Sequence, residues 1–290
     1  MSNLLISILT GLGGMFGYGA SDFLASQVTR RIGNIKTIFW EQFIAVFVIG
    51  AVLLFVPVDF HFELILLPLG ILLAIVYMVA FGTYYKGFEV GNVSVISPIV
   101  NSYAWISVLI AHFLFNQRLE GLQIAGIILI VLGVVLVSVQ LDKIKTKKVL
   151  LVKGLPYALV ASLAFGIVPP LYEQIVERMD FLFASFLSTV IASILVFVYS
   201  RIMRIKLGLK KEGGKTQLQL FIIAVLTLFA TVSVGYGYSV GDSIIVAPVS
   251  SGLTVVTVVL AVVFLKERLK LNQIIGIIIT VGGIVLTGLA

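Results

Sequence analysis

The length of uncharged chain is what most limits the fold of this protein. The stretches 64–85, 91–117, 121–141, 154–172, 181–200, 216–241, 243–265 and 271–290 contain no Asp, Glu, Lys or Arg. Stretches 2–29 and 37–58 hold one acid each, Asp22 and Glu41. A helix crossing a bilayer needs about 20 mainly apolar residues, so ten transmembrane helices are predicted. With 290 residues in all, no length remains for a soluble domain. Composition agrees: 11% of residues are charged, against about 25% in a soluble domain. The first apolar run lacks a basic leader, so a first span is expected there rather than a cleaved signal peptide.

The basic residues predict a topology. Eighteen of the twenty Lys and Arg residues fall in the odd-numbered connections between spans; only Arg118 and Arg178 fall in the even-numbered ones. Short cytoplasmic loops are enriched in Lys and Arg. The odd connections are therefore expected in the cytoplasm and both termini outside, in a cell-membrane protein. The same distribution accounts for the net charge of +7 without nucleic acid, since no aromatic-interleaved basic patch is present. The chain has no cysteine and only two histidines, His61 and His112. A thiolate site, a metal site and an enzyme active site are thus not expected, and no cofactor is implied. The expected partners are a small-molecule substrate, the lipid bilayer and protons, with monomer and homodimer both open.

The chain repeats itself. Residues 87–138 align without gaps on 237–288, an offset of 150. Identical pairs include Gly87/Gly237, Pro98/Pro248, Arg118/Arg268, Gln123/Gln273, Gly126/Gly276 and Gly133/Gly283. Chance matching of apolar helices pairs Ile, Leu and Val, not Pro, Arg, Gln and Gly in register. A weaker echo pairs Phe16-Gly17 with Phe165-Gly166. The predicted units are 1–141, a basic linker 142–153, and 154–290, with five spans in each half. Because five is odd, the halves enter the membrane from opposite sides, an arrangement that places substrate near the midplane between them. The matched loops support this: 116–120 carries one cation, whereas 266–270 carries three.

The run from Pro248 through Glu267-Arg268-Leu269 to Gln273, Gly276 and Gly283 resembles the EamA domain of the drug/metabolite transporter superfamily, and the first half repeats it with Gln117 in place of the Glu. The resemblance covers essentially the whole chain. It implies a ten-helix secondary transporter whose spans 1, 3, 4, 6, 8 and 9 line a central cavity. The E-x-L loop is expected to be a packing device at a helix end.

Ionisable groups inside a membrane are costly and point to function. Asp22 follows a glycine-rich run (Gly11, Gly13, Gly14, Gly17, Gly19) that permits close packing or local unwinding. It is read as a proton or amine site, or as an acid neutralised by Arg30 or Arg31. Glu41, beside Trp40, is a cavity acid or an interfacial one. Glu173 follows Pro169-Pro170, a pair expected to break or kink its helix. In the fourth span Pro98, Asn101, Trp105 and His112 share one helical face. Ser251 takes the place of Asn101 in the second half. Tyr77, Phe81, Tyr84 and Phe88 stand at the repeat offset from Thr227, Thr231, Val234 and Tyr238, so an aromatic stripe faces a small, polar one. Pro98, Pro169, Pro170 and Pro248 are candidate hinges. The expected activity is secondary or facilitative transport of a small polar or amphipathic metabolite, an amino acid or organic amine, by alternating access. A lipid-headgroup flippase is the alternative.

Overall fold

The computed structural model describes residues 3–60, 63–115, 121–138, 152–209, 212–240, 246, 249–250 and 252–288. Regular structure among them is helical. It comprises α1 (Asn3–Ile32), α2 (Asn34–Leu53), a short 3₁₀ turn (Leu64–Leu66), α3 (Leu67–Val90), α4 (Val93–Asn101), α5 (Ala104–Phe115), α6 (Gly121–Ser138), α7 (Leu155–Val176), α8 (Phe181–Ile202), α9 (Gly214–Val240), α10 (Leu253–Phe264) and α11 (Leu271–Gly288). Among the described residues, five segments are long and apolar enough to cross a membrane: Asn34–Leu53, Leu64–Val90, Leu155–Val176, Phe181–Ile202 and Gly214–Val240. The candidate hinge Pro248 and the candidate site residue Ser251 lie outside the described residues, as does the side chain of His112.

The glycines of α1 serve close packing. The helix runs unbroken, and a Cβ at Gly14 would lie 2.5 Å from Val234 of α9, and one at Gly19 2.6 Å from Val256 of α10. Backbones that approach this closely gain dispersion contact along their length, the main source of helix association in lipid. Gly33, at φ 86°, then turns the chain from α1 into α2 within one residue. That left-handed conformation is one glycine adopts without penalty.

The repeat glycines act alike. Helices α6 and α11, one from each half, pack chiefly on each other. A Cβ at Gly133 would stand 2.6 Å from the Thr280 nitrogen and 2.7 Å from the Gly276 oxygen; one at Gly283 would stand 2.7 Å from the Gly126 oxygen. The glycines behind the family resemblance thus mark a helix crossing. We predict that Gly133→Ala costs about 1–3 kcal/mol by overpacking, because the obstacle is backbone. Gly82→Ala, whose Cβ meets nothing within 4 Å, should be neutral or stabilising by up to about 1 kcal/mol. Thermal unfolding of the two variants in one detergent checks the contrast.

The fourth span is broken, which corrects the single helical face expected there. Pro98 removes a backbone donor inside α4, and the Ser102 hydroxyl donates to the Ile99 carbonyl (2.7 Å) that the Tyr103 N–H would otherwise use. Tyr103 N–H turns to Val100 O (3.2 Å), and the helix ends at Asn101 and restarts at Ala104. The seventh helix is the opposite case. Pro169 and Pro170 lie inside α7, yet it continues from Leu155 to Val176. Pro170 leaves Gly166 O without its helical donor, and the Ser107 hydroxyl of α5 replaces it at 2.9 Å. Gly166 permits this approach, since a Cβ there would lie 2.5 Å from Ile106.

Glu267, in the loop before α11, accepts from the N–H groups of Val93 (3.2 Å) and Ser94 (2.9 Å) and from the Ser94 hydroxyl (2.5 Å). It caps α4 from 173 residues away in sequence. Arg30 stands 3.5 Å from the same carboxylate and donates to the carbonyls of Phe88 and Gly91, where α3 ends. One acid and one guanidinium therefore close both sides of the α3–α4 turn.

Candidate functional site

A cavity of about 130 Å³ lies between α1, α2, α3, α4, α7, α8, α9, the start of α10 and the segment leading into it. None of the described lining residues comes from α6 or α11. The lining is wider than the resemblance implies, because α2 adds Gln42 and α8 adds Ser188 and Thr189. Among the described residues no Lys or Arg lines it.

Asp22 is the acid in the wall. It is 5% exposed and accepts a 2.6 Å hydrogen bond from the Tyr84 hydroxyl. Neither Arg30 nor Arg31 neutralises it: Arg30 is held at the α3–α4 turn, and Arg31 donates to Gln219 at 3.1 Å. Tyr84 is itself fixed, with Ser97 at 3.5 Å and Asn101 Nδ2 at 3.5 Å, while Asn101 donates to Ser97 at 3.0 Å. Asn101 is thus placed by α4 where it both lines the cavity and orients the tyrosine that holds Asp22.

Glu41 is 1% exposed and stands inside the bundle rather than on its surface. Trp40 beside it donates to Leu207 O (2.7 Å), and the carboxylate points the other way, accepting from Tyr85 (2.7 Å) and Thr227 (2.9 Å). Thr227 also pairs with Ser21 at 2.6 Å and lines the cavity, so Glu41 stands one side chain behind the wall. Neither carboxyl has an ion-pair partner among the described residues. A buried carboxylate without a cation is expensive, so this arrangement favours an occupant that brings positive charge.

Aromatic side chains complete the wall. Phe165 meets Phe81 (5.0 Å, edge-on), Tyr84 (5.9 Å) and Tyr103 (6.0 Å), and Tyr77 stacks on Phe81 at 5.9 Å. Across from them the polar stripe is as the repeat alignment orders it: Thr227, Thr231, Val234 and Tyr238 all line the cavity. Tyr18 pairs with Thr231 at 3.0 Å.

The structure therefore brings together Asp22, Tyr77, Tyr84, Asn101, Thr227, Thr231 and Pro169, with Glu41 immediately behind. Trp105 is not among the lining residues. The break after Asn101 rotates it off that face and puts Tyr103 there instead. Glu173, half-buried, and Pro98 and Pro170, both buried, also stand outside the lining. Sequence reasoning missed Tyr18, Tyr103 and Tyr172. Tyr18 lies four residues before Asp22, one helical turn away, and that spacing was the available signal.

A bundle of apolar helices with exposed surfaces rich in Ile, Leu, Val and Phe, closed around a largely aromatic cavity that holds one buried carboxylate, has the architecture of a helical membrane protein. The model of the EamA-like transporter family matches residues 5–139 and again 152–289. The chain belongs to that family and is a multi-pass membrane protein of the drug/metabolite transporter type. An uncharacterized protein of Methanocaldococcus jannaschii is 39% identical over 69 residues, 24% of this chain and 50% of that protein. The chain thus aligns with half the length of that curated relative. A protein of known crystal structure shares the fold, with a TM-score of 0.69 over 98% of this chain and 96% of its own, at 15% identity.

Proposed function

We propose that the protein is a secondary transporter that carries a small organic cation, an amine or the amino group of an amino acid, by alternating access. The observation that carries this reading is Asp22, which has no ion-pair partner among the described residues and is faced by tyrosine and phenylalanine rings. A cation over aromatic faces gains about 0.5–2 kcal/mol, and the carboxylate adds a charge-assisted bond. A proton serves the empty site in the same way, so amine and proton compete for Asp22. Lowering the pH therefore weakens amine binding. The lining offers no Lys or Arg to a phosphate, which favours this reading over a headgroup flippase.

The two halves are read as inverted five-span repeats in the cell membrane with both termini outside. The offset of 150 and the Gly133–Gly283 crossing support the repeat; the charge of the matched loops supports the inversion. The continuity of α7 makes Pro169 and Pro170 points of weakened hydrogen bonding rather than breaks, which suits a rocking hinge. Pro98 serves the same purpose beside the break after Asn101.

A thermal-shift screen of purified protein tests the substrate class. Ligands that bind the native state raise its melting temperature. Primary and quaternary amines should do so; sugars and phosphate esters should not. A stabilising phosphate ester with inert amines would overturn the proposal. Glu41→Gln should weaken amine binding about tenfold while leaving the protein folded, because it removes the second negative charge but keeps hydrogen-bonding capacity toward Tyr85 and Thr227. Titration of the purified variant measures this.

A further inference from the structure

Away from the transport cavity, a second hollow of about 380 Å³ sits where α8 ends, lined by Phe197, Ser200, Arg201, Arg204, Lys206 and neighbouring apolar residues. We propose that it is a binding site for the phosphodiester headgroup of an anionic phospholipid. The inference does not depend on what the cavity carries.

Three observations support it. The first is charge without compensation: Arg201, Arg204 and Lys206 are exposed and have no ion-pair partner among the described residues. Nor are they needed at the helix end. The last carbonyls of α8 are taken by backbone N–H groups, Ile205 to Ser200 (2.8 Å), Arg204 to Arg201 (3.2 Å) and Met203 to Tyr199 (2.9 Å). This is the six-to-one and five-to-two pattern that closes a helix around one left-handed residue, a position usually held by glycine.

The second observation is the residue in that position. Arg204 adopts φ 54°, a conformation that costs any side chain with a Cβ free energy. Glycine would close the helix without strain, so the strained arginine marks a place where a guanidinium is worth keeping.

The third is that the hollow is preformed and adjoins an exposed apolar helix face. The loop beyond it is pinned by Trp40 Nε1 to Leu207 O (2.7 Å) and by Lys36 to Glu212 (2.9 Å). Leu207 and Leu209 pack against the core. On α8, Ile194, Phe197, Val198 and Ile202 are exposed and share one face that leads to the cations. Acyl chains along that face bring a headgroup phosphate to Arg201, Arg204 and Lys206. Basic pockets at the ends of membrane helices hold acidic headgroups in this way.

The test uses the full-length protein in nanodiscs of phosphatidylcholine with a minority of phosphatidylglycerol, followed by native mass spectrometry of the lipids it retains. Wild type should retain phosphatidylglycerol preferentially. The variant Arg201→Gln/Arg204→Gly/Lys206→Gln should lose that preference by about fivefold for each cation removed. Lys143→Gln/Lys145→Gln/Lys147→Gln, an equal loss of charge in the linker, should keep it. Equal retention by wild type and the pocket variant, or equal loss in both variants, would overturn the site. Displacement of the lipid by inorganic phosphate alone would also overturn it, in favour of a soluble anion. Arg204→Gly alone keeps the test valid if the triple variant unfolds. It should raise the melting temperature in a zwitterionic detergent, because the strain is relieved, and lower phosphatidylglycerol retention about fivefold. Unchanged retention in this variant would contradict the proposal.

Discussion

Asp22→Asn is expected to abolish amine transport while leaving a folded protein. The substitution keeps the shape of the side chain and an oxygen for the Tyr84 hydroxyl, whose 2.6 Å bond can survive. What it removes is the charge. Losing one partner of a desolvated charge pair costs about 2–5 kcal/mol, which lowers amine affinity by at least about thirtyfold. It also removes the group for which protons compete, so residual flux should no longer depend on pH. Asp22→Glu should do less damage, because the charge remains and only its reach changes. Uptake of a labelled amine into proteoliposomes, compared across the three proteins at two pH values, measures this. Tyr84→Phe provides an independent check: it leaves Asp22 without its donor and should weaken binding by about tenfold.

Glu267→Ala is expected to have the largest effect on stability. It removes the acceptor of two backbone N–H groups at the start of α4 and of the Ser94 hydroxyl, and it leaves Arg30 facing the turn without its acid. Loss of a helix cap costs about 0.5–2 kcal/mol, and the buried donors left unpaired add about 1–3 kcal/mol. The Glu267 side chain is only 9% exposed, so water does not replace it. A fall in melting temperature of about 5 °C or more follows. Glu267→Gln, which retains one acceptor, should fall between. Hydrogen exchange at Val93 and Ser94 locates the loss: protection there should drop before protection in α6 and α11. Uniform loss would mean that the carboxylate supports the bundle as a whole rather than the α4 start.

The residues behind these predictions differ in how far the sequence revealed them. The all-helical fold was legible because uncharged length is a direct demand of the bilayer, and Asp22 stood out because it interrupts such a run. The stripe Thr227, Thr231, Val234 and Tyr238 was legible because helical spacing survives folding. The cap by Glu267 was legible only as a helix-end role. Its partners lie 173 and 174 residues away, and no local pattern encodes that meeting. Trp105 failed for a local reason: the Ser102 hydroxyl and Pro98 together unmake a helix that hydropathy alone would continue. The converse held at Pro169-Pro170, where a break or kink was expected: the helix continues, and Ser107 supplies one missing donor from a neighbouring helix. In both cases the outcome turns on side-chain contacts around a proline, and such contacts have no periodicity to read.

The claim that a cation occupies Asp22 in exchange for a proton is tested most directly by calorimetric and pH-stat titration of purified protein with an alkylammonium ligand in weakly buffered detergent. Proton release should track ligand binding, close to one proton per amine when the empty site is protonated, and Asp22→Asn should release none. Amine binding of unchanged affinity in Asp22→Asn, or binding without proton release at every pH tried, would contradict it.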